Sequence, residues 1–234
     1  MNKFGRFQHL VGLCAAAAAA VSIATAAPQT GSAKVTSVKG NVTLGGQPAR
    51  VGSVGGPGSV IVTGAAAEAV LDLGVNGPTA KVLELSSVSI DDLTFDNAGS
   101  EPVISTKFTV SKGKIEGFVK KTSSQSSYIV KTPTATAAIR GTTFTIWEDG
   151  TVYVWEGVVD VTYRDPRTGR EVKYTVSAGQ FFDPSLVEVR DVPAGAIPPA
   201  VGLQTTPVTP AAGPVIFVSP TGSNAGRQGN ATGE

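Results

Sequence analysis

Between residue 34 and about residue 192 the chain is a succession of short β-branched runs, each cut off by Gly, Pro, Asn or Asp. Such punctuation predicts an all-β fold. Its sharpest instance is the pair of runs 142–148 and 151–156, separated by Asp149-Gly150. A two-residue Asp-Gly loop asks for positive φ at both central positions and predicts a type I′ hairpin. In that register Phe144 faces Trp155 and Ile146 faces Tyr153, an aromatic and β-branched ladder on one face. A second hairpin sets Val159, Val161 and Tyr163 against Val172, Tyr174 and Val176 across the turn at residues 165–169.

The runs 35–44 and 105–115 read as strands that carry a Gly kink or bulge. Residues 65–73 contain helix-favouring Ala and Glu, but Ala67, Ala69, Leu71 and Leu73 alternate with Glu68 and Asp72, and that period of two predicts a strand. A hydrophobic-Lys/Glu-Gly-x-Val/Ile element recurs around Gly40, Gly113 and Gly157 at unequal spacing. It points to repeated turns of one β-roll or sandwich, not to a solenoid of fixed period. The expected fold is an antiparallel β-roll or sandwich of short strands with Gly-kinked turns. From Pro193 to Glu234 seven prolines alternate with Gly, Ala, Ser and Thr, a composition predicting a disordered C-terminal tail whose apolar knot is residues 215–218.

Met1, His9 and Cys14 are the single residues of their types, and all three lie in the first stretch of the chain. That stretch reads as a secretory signal: Lys3 and Arg6 precede an apolar run, and Ala24-Thr25-Ala26 supplies a small-x-small cleavage pattern. A retained anchor is the alternative, disfavoured by the short, Ala-rich run. Acylation at Cys14 is disfavoured by Leu13, which stands where a small residue would be needed. The expected organisation is a signal peptide over residues 1–26, a short spacer over 27–33, a β domain over 34–192 and the tail over 193–234.

A cleaved chain without Cys or His has no disulfide scaffold, no imidazole base, no Ser-His-Asp or Cys-His nucleophile, and no His or Cys metal ligand. The full chain carries 19 basic and 18 acidic residues, which gives no global field to gather nucleic acid or an anionic membrane.

Residues 130–146 resemble the FecR domain, a β-rich periplasmic module found in iron-citrate regulators and in many other secreted proteins. The matching positions are Thr132, Pro133, Ala135, Ile139, Arg140, Gly141, Thr142, Phe144, Glu156, Gly157 and Val159. Residues 177–180 are similar to the family's closing turn, and 58–64, 69–73 and 87–90 to its earlier strands, so the resemblance spans roughly residues 35–182. Members that regulate sigma factors join a cytoplasmic helical segment and a membrane helix to this module. Neither is expected here, and sigma-factor signalling and iron-citrate sensing are not carried over.

Arg140 has two readings, an anchor for a carboxylate or phosphate and a hydrogen-bonded bridge between strands, of which the bridge is favoured. Lys112, Lys114, Lys120 and Lys121 form one basic cluster, able to touch an anionic polymer but expected to guard an exposed sheet edge. Residues 91–97, with Ser100 and Glu101, offer oxygen ligands for a calcium ion, but their irregular spacing favours a solvated turn. Trp147, Tyr153, Trp155 and Tyr163 could stack on a sugar ring, with core packing expected for most of them.

The expectation is a non-enzymatic, exported module, periplasmic or at the cell surface, that binds a protein or a cell-envelope component. No cofactor, metal, nucleic acid or membrane span after signal cleavage is expected, and the motif positions Thr132, Pro133, Ala135, Arg140, Gly141, Thr142, Phe144, Glu156 and Gly157 are expected to be structural. The alternative is a structural surface or matrix protein; a periplasmic sensor component or a carbohydrate-binding module are lesser alternatives. Deleting residues 193–234 is expected to leave the β domain folded, because that segment has too little apolar surface to support a core. A large loss of thermal stability on truncation would refute this.

Overall fold

The computed structural model describes residues 27–121 and 123–196. The segment read as a secretory signal, residues 1–26, and residues 197–234 of the expected tail lie outside them. Among the described residues there are seventeen strands, one three-residue 3-10 turn at Gly74–Asn76 and no α-helix. The first seven strands are β1 (Gln29–Thr30), β2 (Ala33–Lys39), β3 (Val42–Leu44), β4 (Gln47–Pro48), β5 (Val54–Gly55), β6 (Val60–Thr63) and β7 (Glu68–Asp72). After the 3-10 turn come β8 (Thr79–Val82), β9 (Ser87–Asp96), β10 (Val103–Lys112), β11 (Lys114–Phe118) and β12 (Ser127–Lys131). The last five are β13 (Ala135–Trp147), β14 (Val152–Arg164), β15 (Glu171–Ser177), β16 (Gln180–Asp183) and β17 (Glu188–Asp191).

The segment read as a spacer is itself part of the sheet, since Gln29 and Thr30 pair with Phe95 and Thr94 on β9. Of the strand expected over residues 65–73, residues 68–72 form β7, while residues 65 and 66 are a turn with Ala66 at φ +52°. The second hairpin also has its expected register: Val159 opposes Val176, Val161 opposes Tyr174 and Tyr163 opposes Val172.

At the centre of the sheet β13 and β14 form a long hairpin. The other edge of β13 takes two strands in succession, β12 along its first half and β11 along its second. Two arms depart from that edge. One runs from β12 through β10, β9 and β6 to β3 and β4. The other runs from β11 through β8 and β7 to β2 and β5. Side chains from both arms and from the hairpin meet in one buried cluster that includes Phe108, Phe144, Phe182, Leu71 and Ile90. The result is a curled roll, as expected, with one departure. β10 and β12 run parallel, because β11 leaves for the other arm and returns the chain in the same direction.

The hairpin is bent double. A straight strand of thirteen residues would hold its ends roughly 43 Å apart, yet Thr134 Oγ1, just before β13, donates to the Asp149 carbonyl just after it at 2.8 Å. The crease lies where Gly141 and Thr142 on β13 stand opposite the single residue Gly157 on β14, between the pairs Arg140–Val158 and Thr143–Glu156. Gly141 and Gly157 both have positive φ, +61° and +84°. Trp155 is then the extra residue on β14, and the two opposed bulges restore the register beyond it. Folded this way, Phe144, Ile146, Val152 and Val154 of the outer half pack with Ala135, Ala137, Ile139, Val159 and Val161 of the inner half in the same core.

The hairpin's tip corrects the expected two-residue loop. Trp147 N–H donates to the Thr151 carbonyl and Gly150 N–H to the Trp147 carbonyl, so the loop has three residues, ending in Gly150 at φ +95°. The register moves by one: Phe144 opposes Val154 and Ile146 opposes Val152. Those four are buried, and the aromatic partners expected for them point to the other side of the sheet.

Buried polar groups tie the 3-10 turn to the sheet. Asn76, fully buried, donates from Nδ2 to the carbonyls of Thr94 at 2.7 Å and Ser105 at 3.0 Å, while its backbone carbonyl accepts from Thr106 Oγ1 at 2.8 Å. Removing the amide takes the donor from two part-buried acceptors.

Gly141→Val and Gly157→Ala are each expected to lower the unfolding free energy by about 1–3 kcal/mol. Gly169→Ala should cost about 1 kcal/mol, since an added β-carbon there meets nothing within 4 Å. Denaturant melts that rank all three alike would remove the crease. Asn76→Ala is expected to cost about 1–3 kcal/mol, and an unchanged melting curve would show that the amide does not brace the turn.

Candidate functional site

The motif residues fall into two groups. Thr132 builds the turn into β13: its Oγ1 accepts from the Ala135 N–H at 3.0 Å and its own N–H donates to the Ala135 carbonyl at 2.8 Å, with Pro133 exposed at the corner. Ala135 is small because the hairpin tip arrives against it, where a β-carbon on Gly150 would lie 3.3 Å from the alanine's own. Phe144 fills the core beside Tyr128, ring centroids 6.1 Å apart, and its Cζ lies 2.4 Å from where a β-carbon on Gly117 would stand.

The other group meets at the crease. A β-carbon on Gly157 would lie 2.3 Å from the Gly141 carbonyl, and one on Gly141 would lie 3.2 Å from Lys121 Cα. Thr142, completely buried, holds the bend with Oγ1 at 2.9 Å from the Val158 carbonyl and 3.0 Å from that of Arg140. Its carbonyl accepts from Val119 N–H at 3.0 Å, which fastens the segment after β11 to the crease. Glu156 is exposed, with Thr143 Oγ1 at 3.5 Å.

Arg140 differs from all of these. It is exposed, and among the described residues its guanidinium makes no hydrogen bond or ion pair. The strand-bridging role expected for it is therefore not found: Thr142 and the two glycines already hold the crease, and the arginine side chain leaves the sheet. It lines a shallow cleft with Lys121, Ser123, Ser124, Gly141 and Val158.

The four lysines do not form one cluster. Lys112 and Lys114 lie beside the start of β11, with Lys114 Nζ 5.8 Å from the Trp147 ring centroid, whereas Lys120 and Lys121 follow its end. Nor do they guard an edge, because β11 is paired on both sides, with β8 and β13. Residues 91–96 are not a turn. They continue β9, where the Asp91 carboxylate accepts from Thr109 Oγ1 and the Asp92 carboxylate from Ser105 Oγ, each at 2.6 Å. The cross-strand hydroxyls of β10 satisfy the carboxylates. No group of three or more metal-ligating side chains occurs among the described residues.

Of the four candidate aromatics, Tyr163 is in the core. Trp147, Tyr153 and Trp155 are instead half-buried on the outer face of the sheet, where Tyr153 touches both Trp rings and Phe181 at centroid distances of 4.6–5.8 Å. Trp155 Nε1 donates to Thr145 Oγ1 at 3.1 Å. One residue further along the same cross-strand row, burial pushes the Glu116 carboxyl above the usual carboxylate range, against the opposing pull of Lys81 and Lys114. The extra residue in the loop is what turned Tyr153 and Trp155 outward, onto the face that Thr145 and Trp147 share on β13.

No curated protein matches the chain. Two crystal structures of a candidate anti-sigma factor from Parabacteroides distasonis are similar to it at 14% identity and a TM-score of 0.40, covering 57% of this chain. The likeness spans 58% of the length of that protein. No helix among the described residues is long and apolar enough to cross a membrane. The family model described as FecR protein matches residues 59–160, a stretch that starts just before β6 and ends in β14, and so contains the whole crease with Arg140, Gly141, Glu156 and Gly157. Residues 59–160 of this chain are a FecR domain.

Proposed function

We propose that the protein is a non-enzymatic, exported binding module for a protein or a cell-envelope component, and that the crease carrying Arg140 is its contact surface. One observation carries the reading. Gly141, Thr142 and Gly157 at the crease have a local structural task, whereas Arg140 is held at the bend with its guanidinium free among the described residues. Arg presents a planar fork of donors that pairs with carboxylates in two-point fashion, so a free one on an ordered backbone is prepared for a partner.

Arg140→Ala separates contact from support. The variant is expected to melt within about 0.5 kcal/mol of the wild type, as an exposed substitution does, and to lose the component that the wild-type chain recovers from envelope extracts. Equal recovery, or a stability loss as large as that of the Gly141 variant, would overturn the assignment.

A further inference from the structure

The cleft beside Arg140 does not end there. Lys121 and Ser123 also line a second cleft, with Val75, Pro78, Glu101, Pro102 and Lys120, so the two clefts adjoin at these residues as one track. Three cations, Lys120, Lys121 and Arg140, border this track against the single carboxylate of Glu101. None of the three forms an ion pair among the described residues. Between them lie exposed aliphatic side chains: Val75 is 45% and Val158 43% exposed.

We infer that this track binds an acidic peptide segment, with carboxylates meeting Lys120, Lys121 and Arg140 and small aliphatic side chains seated on Val75 and Val158. The inference rests on the reading of the crease as the contact surface and gives its ligand a chemical class. Charge complementarity calls for an anion. The walls choose among anions: among the described residues no aromatic ring lines either cleft, which leaves no platform there for a base or a sugar ring, while prolines and valines suit aliphatic side chains. Because β14 is paired on both edges at Val158, with Arg140 and Ser177, the peptide is held through side chains and not by strand addition.

The test uses the full chain and a labelled peptide of alternating Glu and Val, followed by fluorescence anisotropy, with inorganic polyphosphate and a Lys-Val peptide as competitors. The Glu-Val peptide is expected to bind, to weaken as salt rises, and to bind about tenfold more weakly to the triple variant Lys120→Gln, Lys121→Gln, Arg140→Gln. Val158→Ser should weaken it about threefold. Polyphosphate competing as well as the peptide, together with an unaffected Val158→Ser, would show a site for polyanions in general and overturn the peptide assignment. Full binding by a triple variant that melts like the wild type would place the peptide elsewhere on the molecule. If no Glu-Val peptide binds although Arg140→Ala has lost its envelope component, the ligand class fails and the contact surface stands; if Arg140→Ala also recovers that component normally, both fail.

Discussion

The Gly141 carbonyl lies 2.3 Å from where a β-carbon on Gly157 would have to stand, and the larger geometry of the sheet depends on that approach. Backbone at positive φ on both strands lets two residues of β13 face one of β14, and a bulge of this kind bends the strand that carries it. Here the bend is sharp enough to bring the two ends of β13 together. The strands paired to its first half and those paired to its second half then become two facing walls of one core. Without the crease the same sequence of pairings would make a long, open sheet with one apolar face exposed to water.

Closing the roll imposes demands elsewhere, and the residues that meet them are small or polar in specific places. Ala135 and Ala137 leave room for the returning half of the hairpin, and Gly117 leaves room for the Phe144 ring. Asn76 supplies donors to the β9 and β10 carbonyls that face the 3-10 turn. Tyr128 packs between Phe108 and Phe144 with its hydroxyl buried and without a hydrogen-bond partner among the described residues, and burial drives its pKa upward. The described residues contain no Cys, Met or His, so the closure rests on aliphatic and aromatic burial and on sheet hydrogen bonds.

The class of fold was legible because period-two alternation and turn residues are local signals; the strand β7 was readable within residues 65–73 and the hairpin from Val159 to Val176 to the residue pair. Part of what was not legible depends on a single residue of register. A hairpin loop of three residues in place of two turns the start of β14 over, so Tyr153 and Trp155 lie outside where a core position was expected. Residues 91–96 look like a loop because they are rich in Asp, yet β10 opposes them with Ser105 and Thr109 and makes a strand of them. The motif around Arg140 identified the crease by its glycines. It did not reveal that Thr142 alone would do the bridging, because that depends on which side chain the bend turns inward.

This division of labour bears on what the surface can do. A binding contact gains most when its groups are ordered before the partner arrives, because less freedom is then lost on association. Arg140 stands next to closely packed backbone at positive φ, between a buried threonine and a pair of close-packed strands, and Lys121 is pressed against the same glycine. Their side chains keep the rotational freedom of exposed residues, but the points from which they start are fixed by the fold. A crease required for closing the core therefore also sets the spacing of the cations beside it. Variation in the residues at those exposed positions would change what is bound without disturbing the roll, while variation in the glycines would disturb both.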